Sequence, residues 1–196
     1  MELMDATDPF GLFRLWFDAA SAAEPEDPNA MSLGTATADG RVSVRVMLMK
    51  GFDQRGFVFY TNLASRKGSQ LNQNTSAALC FHWKSLQRQV RIEGVVEPVS
   101  DDEADLYFLS RPRESQIGAW ASRQSEVLPS REQLDARLDE FDRRFRAATV
   151  PRPEHWSGFR VIPNRIEFWH ARPSRLHDRL LFTLDHGIWT SQRLYP

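Results

Sequence analysis

Arg45 and Lys50 end one apolar run of the chain and Ser65, Arg66 and Lys67 open the next segment, and these residue types at these spacings suit holding a phosphate. Residues 41–50 (Arg-Val-Ser-Val-Arg-Val-Met-Leu-Met-Lys) and 56–62 (Gly-Phe-Val-Phe-Tyr-Thr-Asn) read as strands rich in β-branched and apolar residues, and Ser65-Arg66-Lys67 then falls at a helix start. A helix N-terminus offers unpaired N–H groups and a positive dipole end. Guanidinium and ammonium groups added there make a charge-assisted anion site. The same basic pair would also serve as a solvated turn, so this stretch alone does not decide function.

The elements that must position these groups are constrained by composition. A chain of 196 residues with 41% hydrophobic content can bury a sizeable core, and the expectation is a frayed start at residues 1–7 followed by one domain over 8–196. The formal net charge of -1 gives no global positive field, which argues against nucleic acid or an anionic membrane surface as partner. There are 22 arginines and three lysines (Lys50, Lys67 and Lys84), so two of the three lysines lie in the opening stretch. Cys80 is the single cysteine, which excludes an internal disulfide and any cysteine-built metal site; it reads as a small buried hydrophobe. His82, His155, His170, His177 and His186 have no paired helical spacing, so no metal site is expected. No signal peptide or membrane-length apolar run is present, and a cytoplasmic protein is the default expectation.

Along the chain, Asp8-Pro9 reads as N-cap and first residue of a helix whose apolar positions Phe10, Phe13, Trp16, Phe17 and Ala20 recur at helical spacing. Strands are expected at 31–38 and 41–50 around a two-residue Asp39-Gly40 turn. Alternation puts Val42, Val44, Val46 and Leu48 on one face, read as the core face, and Arg45 with Met47 and Met49 on the other. Lys50 would then oppose Arg45 unless the strand bulges or turns before it. Further strands are expected at 57–61, 77–83, 88–97, 159–162, 166–170, 179–184 and 188–193, with Gln89 facing out. Ser100 and Ser130 each open a capping box, the second for a helix with the apolar stripe Leu134, Leu138, Phe141 and Phe145. Residues 113–122 read as one or two helical turns. Short antiparallel strands with flanking helices indicate an α+β protein built on a mainly antiparallel β-barrel. No glycine-rich dinucleotide loop or P-loop occurs.

Eight segments in order carry a family resemblance: Arg45-Val-Met-Leu-Met-Lys50, Phe59-Tyr-Thr-Asn62, Ser65-Arg-Lys67, Gln87-Arg-Gln-Val90, Ser110-Arg-Pro-Arg-Glu-Ser-Gln-Ile-Gly-Ala-Trp120, Ser122-Arg-Gln-Ser125, Ile166-Glu-Phe-Trp169 and Arg175-Leu-His-Asp-Arg179. Together they closely resemble the pyridoxine/pyridoxamine 5′-phosphate oxidases, and the closing Arg193-Leu-Tyr-Pro196 is similar to that family's ending. The resemblance implies an FMN-binding split β-barrel with flanking helices, a homodimer, and one FMN in each of two clefts between subunits. By motif it assigns the flavin phosphate to Arg45, Arg66 and Lys67, with Arg179 also on FMN. Val46, Met47, Leu48, Met49, Lys50, Tyr60, Thr61, Gln89, Gln124, Ser125 and Trp169 would line the rest of the cofactor. Lys50, Tyr107, Arg111 and Ser115 match the substrate-phosphate group, while Arg175 and His177, with Leu176 between them, match the catalytic pair beside the pyridine ring. On strand alternation, Arg175, His177 and Arg179 would share one face.

The implied reaction moves a hydride from C4′ of pyridoxamine 5′-phosphate or pyridoxine 5′-phosphate to the flavin, with O2 as final acceptor and pyridoxal 5′-phosphate and hydrogen peroxide as products. Because the cofactor carries the redox chemistry, no Ser-His-Asp or paired-carboxylate set is required. A related flavin oxidase for another ring, such as a phenazine precursor, would keep the flavin residues and lose the Lys50, Tyr107, Arg111 and Ser115 group. A barrel that binds single-stranded nucleic acid would need a basic stripe, which this chain lacks.

Overall fold

The computed structural model describes residues 6–196. The expected frayed start lies largely outside that range, and of its last two residues Ala6 is 2% exposed and packs into the main core. Helix α1 spans Pro9–Ala23, and the Asp8 carboxylate accepts the Phe10 N–H at 3.0 Å, as Asp-Pro signals require. The strands are β1 (Ala30–Ala36), β2 (Val42–Leu48), β3 (Gly51–Asp53), β4 (Gly56–Asn62), β5 (Ser76–Trp83), β6 (Arg88–Pro98), β7 (Trp156–His170), β8 (Asp178–Asp185) and β9 (Ile188–Arg193). The remaining helices are α2 (Arg66–Gln73), α3 (Asp101–Ser110), α4 (Arg113–Ala121) and α5 (Arg131–Arg144).

All nine strands join one antiparallel sheet in the order β2-β1-β5-β6-β7-β4-β3, with β8 added to β7 and β9 to β8. Strand β7 organises this layout. Its first half pairs with β4, its second half with β8, and its other edge with β6 from Phe159 to His170. The two short strands expected at 159–162 and 166–170 are therefore one strand. Pro163 is accommodated because the register with β6 shifts between Glu93 and Gly94, and a side chain at Gly94 would strike the Ile162 carbonyl.

The β1–β2 connection also differs from the expected two-residue turn. Thr37 N–H bonds to the Arg41 carbonyl and Gly40 N–H to the Thr37 carbonyl, so three residues form the tip. Of Asp39 and Gly40 only the glycine has positive φ, at 83°, whereas a two-residue type I′ turn needs it at both. The larger correction is on β2. Val42, Val44 and Val46 are 81%, 70% and 68% exposed, while Met47 packs on the main core and Met49 is buried within it. Alternation is as expected but the faces are exchanged: Arg45 lies on the inner side and the valines point outward.

The main core places Phe13 of α1 against Phe57 (4.9 Å between ring centroids) and Phe81 (5.3 Å), and Trp16 against Phe168 (5.2 Å). Each such ring contributes about 1.5–3 kcal/mol through burial. A second cluster joins Phe108, Ile117, Phe141, Phe145 and Trp156, and so fastens α3, α4 and α5 to the start of β7. The Ser100 capping box forms. Ser130 is the N-cap of α5 but makes no side-chain cap bond, so that second box does not. Residues 113–121 form a full nine-residue helix rather than one or two turns. Cys80 is half-buried, on the face of β5 opposite Leu79 and Phe81. No helix among the described residues is long and apolar enough to cross a membrane.

Candidate active site

Ser65 caps α2: its Oγ accepts the Gly68 N–H and donates to the Asn62 carbonyl at 2.6 Å, so the chain leaves β4 and enters the helix within three residues. Arg66 and Lys67 occupy the first helical turn. Lys67 is 8% exposed; its Nζ donates to Gln124 Oε1 at 2.7 Å, and the Arg66 N–H reaches Ser125 Oγ at 3.3 Å. Arg45 reaches across β1 to Thr35 Oγ1 (2.6 Å) and the Leu33 carbonyl (3.1 Å), and to Ser43 Oγ on its own strand (2.7 Å). Burial, with the Arg45 charge adding to it, lowers the Lys67 pKa to about 8. Among the described residues none of Arg45, Arg66 or Lys67 makes an ion pair, although 17 ion pairs involve other residues. Three unneutralised cations in a partly desolvated corner fit a dianion.

Beside this corner lies a cavity of about 640 Å³ lined by Val46, Met47, Leu48, Lys50, Tyr60, Thr61, Tyr107, Arg111, Ser115 and Gln124 among others. Strand β2 stops at Leu48 and β3 begins at Gly51, so Lys50 escapes strict alternation and reaches the cavity; the Lys50 N–H bonds the Val58 carbonyl. Arg111 is the C-cap of α3 and Ser115 lies in the first turn of α4. The junction is tied by Gln116, whose Nε2 donates to the Phe108, Leu109 and Arg111 carbonyls at 3.1–3.2 Å. Arg111 Nη1 is buried and has no hydrogen-bond partner, and burial lowers the pKa of its guanidinium. Arg111 lines the cavity and makes no ion pair among the described residues, so a cation without a countercharge stands there and suits an anion. Tyr60 and Tyr107 stack at 4.0 Å, and burial raises the Tyr60 pKa.

The other expected residues form a second group. Gln89, Trp169 and Arg179 stand in register across β6, β7 and β8. His177 packs on Trp169 at 4.5 Å, and Arg179 donates to Glu167 Oε1 at 2.8 Å and to the Tyr195 carbonyl at 2.8 Å. Neither this row nor Arg175 and Leu176 line the 640 Å³ cavity. Met49 does not line it either, being part of the core. The alternation expected for 175–179 is also corrected. Pro173–Arg175 is a 3₁₀ turn, Ser174 and Arg175 have φ of 58° and 62°, and β8 begins only at Asp178. Trp156 lines the cavity, Gln116 ties the α3–α4 junction beside it and Glu167 holds Arg179, and none of the three was singled out from the sequence. A tryptophan beside a proline-rich link and a lone glutamine in a helix carry no local signal.

Fold and cavity together define a split β-barrel able to hold two anionic groups, one at the α2 corner and one beside Arg111. Residues 17–145 match the family model described as pyridoxamine 5′-phosphate oxidase, and residues 156–196 match the pyridoxine 5′-phosphate oxidase C-terminal dimerisation region. The chain belongs to the pyridoxamine 5′-phosphate oxidase family. It is 55% identical over 201 residues to a pyridoxine/pyridoxamine 5′-phosphate oxidase of Rhodospirillum rubrum, with 100% of both chains covered. A protein of the same name from Gluconobacter oxydans is 57% identical over 189 residues, covering 96% of this chain and 94% of the relative. Among solved structures, PhzG from Burkholderia lata in complex with tetrahydrophenazine-1-carboxylic acid superposes with a TM-score of 0.93 at 34% identity, covering 98% of this chain and 94% of that one.

Proposed function

We propose that the protein is a homodimeric FMN-dependent oxidase that converts pyridoxamine 5′-phosphate and pyridoxine 5′-phosphate to pyridoxal 5′-phosphate. The observation that carries the substrate assignment is Arg111, a cation with no ion pair among the described residues, lining one cavity with Lys50, Tyr107 and Ser115. A phosphate ester supplies the countercharge that this group lacks. An oxidase for an unphosphorylated ring would have no use for the four together.

The α2 corner fits the flavin phosphate, with Arg45, Arg66 and Lys67 as its cations and Gln124 and Ser125 beside them. FMN ends in such a dianion and FAD does not. Held there by Arg45, Arg66 and Lys67, FMN would supply the two-electron redox chemistry between substrate C4′ and O2. The overall balance is amine, O2 and water to aldehyde, ammonia and H2O2, or alcohol and O2 to aldehyde and H2O2. The protein's share is to hold the substrate phosphate with Lys50, Tyr107, Arg111 and Ser115, and so fix the C4′ hydrogen in reach. Arg175 and His177 act at the pyridine ring, and Gln89, Trp169 and Arg179 contact the flavin. These five residues stand apart from the cavity of their own chain, and a second copy brings them to it. The outward Val42, Val44 and Val46 stripe and the matched dimerisation region support that assembly.

Turnover of both phosphorylated vitamers, with one H2O2 formed per pyridoxal 5′-phosphate, tests the reaction. Chromatography of the cofactor released on denaturation tests FMN, and finding FAD overturns that assignment. A pH dependence follows from Lys67. In the ligand-free protein this amine loses its proton near pH 8, and a bound phosphate dianion favours the charged form, so binding above pH 8 requires proton uptake. FMN affinity should therefore fall as pH rises through 8, approaching about tenfold per pH unit. Fluorescence titrations of the flavin-free protein between pH 7 and 9.5 measure this. Lys67→Met should bind FMN more weakly and lose that slope; an unchanged slope would exclude Lys67 as its source.

A further inference from the structure

We infer that Trp156 is a positioning residue for substrate-phosphate recognition, holding the Arg111 guanidinium by its face and leaving its N–H donors for the anion. The inference rests on the function proposed above. Arg111 Cζ lies 4.7 Å from the centre of the Trp156 ring, and Trp156 is 6% exposed and lines the same cavity. A cation needs a countergroup when it is desolvated. A carboxylate would occupy the N–H donors and compete with a phosphate, whereas an aromatic face stabilises the charge and uses no donor. This accounts for a guanidinium that is buried and still has an unpartnered Nη1.

The indole is itself held from three sides. It lies parallel to Tyr60 (5.4 Å, 3°) and to Tyr107 (6.1 Å, 10°), and Phe108 meets it edge-on at 5.1 Å. Its backbone is anchored as well: the Trp156 N–H bonds the Pro153 carbonyl at 2.9 Å, and the Trp156 carbonyl accepts from Arg152 Nη1 at 2.9 Å. Arg152 in turn pairs with Asp101 and Asp105 on α3, the helix whose C-cap is Arg111. The platform and the guanidinium it carries are thus fixed to one another through both ends of α3.

The test is discrimination between pyridoxamine 5′-phosphate and unphosphorylated pyridoxamine, together with equilibrium dialysis of pyridoxal 5′-phosphate against the flavin-loaded dimer. Trp156→Met keeps apolar bulk without a ring. It should raise KM for the phosphorylated amine and weaken pyridoxal 5′-phosphate binding by roughly ten- to thirty-fold, with kcat, FMN content and turnover of pyridoxamine within about twofold. Trp156→Phe keeps a weaker π face and should lose only about threefold. If Trp156→Met does not fold, Trp156→Phe carries the test. Equal losses for phosphorylated and unphosphorylated amines, or discrimination unchanged in the variant that folds, overturn the role of Trp156. A wild-type protein that does not discriminate between the two amines overturns the phosphate site itself.

Discussion

Replacing Arg111 with methionine should lower kcat/KM for pyridoxamine 5′-phosphate by roughly 30-fold to 1000-fold and leave FMN content at the wild-type level. Removing one partner of a buried, hydrogen-bonded charge pair costs about 2–5 kcal/mol. Lys50, Tyr107 and Ser115 share the cavity and keep part of the phosphate's interactions, which places the effect towards the lower end of that range. The variant also removes a buried donor that has no partner in the ligand-free chain, so its thermal stability should not fall and should rise slightly. The loss should sit in KM more than in kcat, because the phosphate is held alike in ground and transition states. Steady-state kinetics with phosphorylated and unphosphorylated amines check this. Loss of flavin, or an equal loss for both amines, would contradict the assignment.

Arg175→Leu should lower kcat/KM by roughly ten-fold to a thousand-fold, the scale of losing about 1.4–4 kcal/mol at the transition state, again with FMN retained. Arg175 is exposed, sits in a 3₁₀ turn with φ of 62°, and does not line the cavity that contains Arg111. If a second copy brings Arg175 to that cavity, the two defects must complement. In a mixed population of Arg111→Met and Arg175→Leu chains, half of the dimers are hetero-dimers and each has one intact site out of two. Co-expression should therefore restore about a quarter of wild-type activity. Differently tagged chains and purification of the hetero-dimer make the measurement direct. Activity no higher than that of the separate variants would show that Arg111 and Arg175 serve the same chain's site.

The local signals were legible before the structure. The Asp8-Pro9 start of α1, the Ser65 cap of α2 and the Ser100 capping box each depend on groups within three residues, so the sequence alone carries them. The same holds for the α5 stripe, in which Phe141 and Phe145 are buried. The family motifs named Tyr60, Thr61 and Gln124 for the flavin and Lys50, Tyr107, Arg111 and Ser115 for the substrate phosphate, and all seven line one cavity. Their common placement could not come from periodicity, because they arise from β4, α3, α4 and connections far apart in the chain.

What the sequence by itself determined was which residues of β2 share a face and where α1, α2 and α3 begin; which face is inward, and what completes each side chain, was decided by tertiary structure. Alternation in β2 groups Val42, Val44 and Val46 correctly, but a β-branched row looks the same against a core or against a partner, and here it points outward. Pro163 looks like a break between strands until the bulge at Asn164 beside it on β7 absorbs it, with Gly94 of β6 leaving room for the close backbone approach. The Arg175–His177 segment reads as strand from its alternation, yet two residues with positive φ turn the chain before β8 begins. Trp156 became visible only when β7 and α3 met, since the interaction with Arg111 joins residues 45 positions apart and no short-range pattern encodes such a contact.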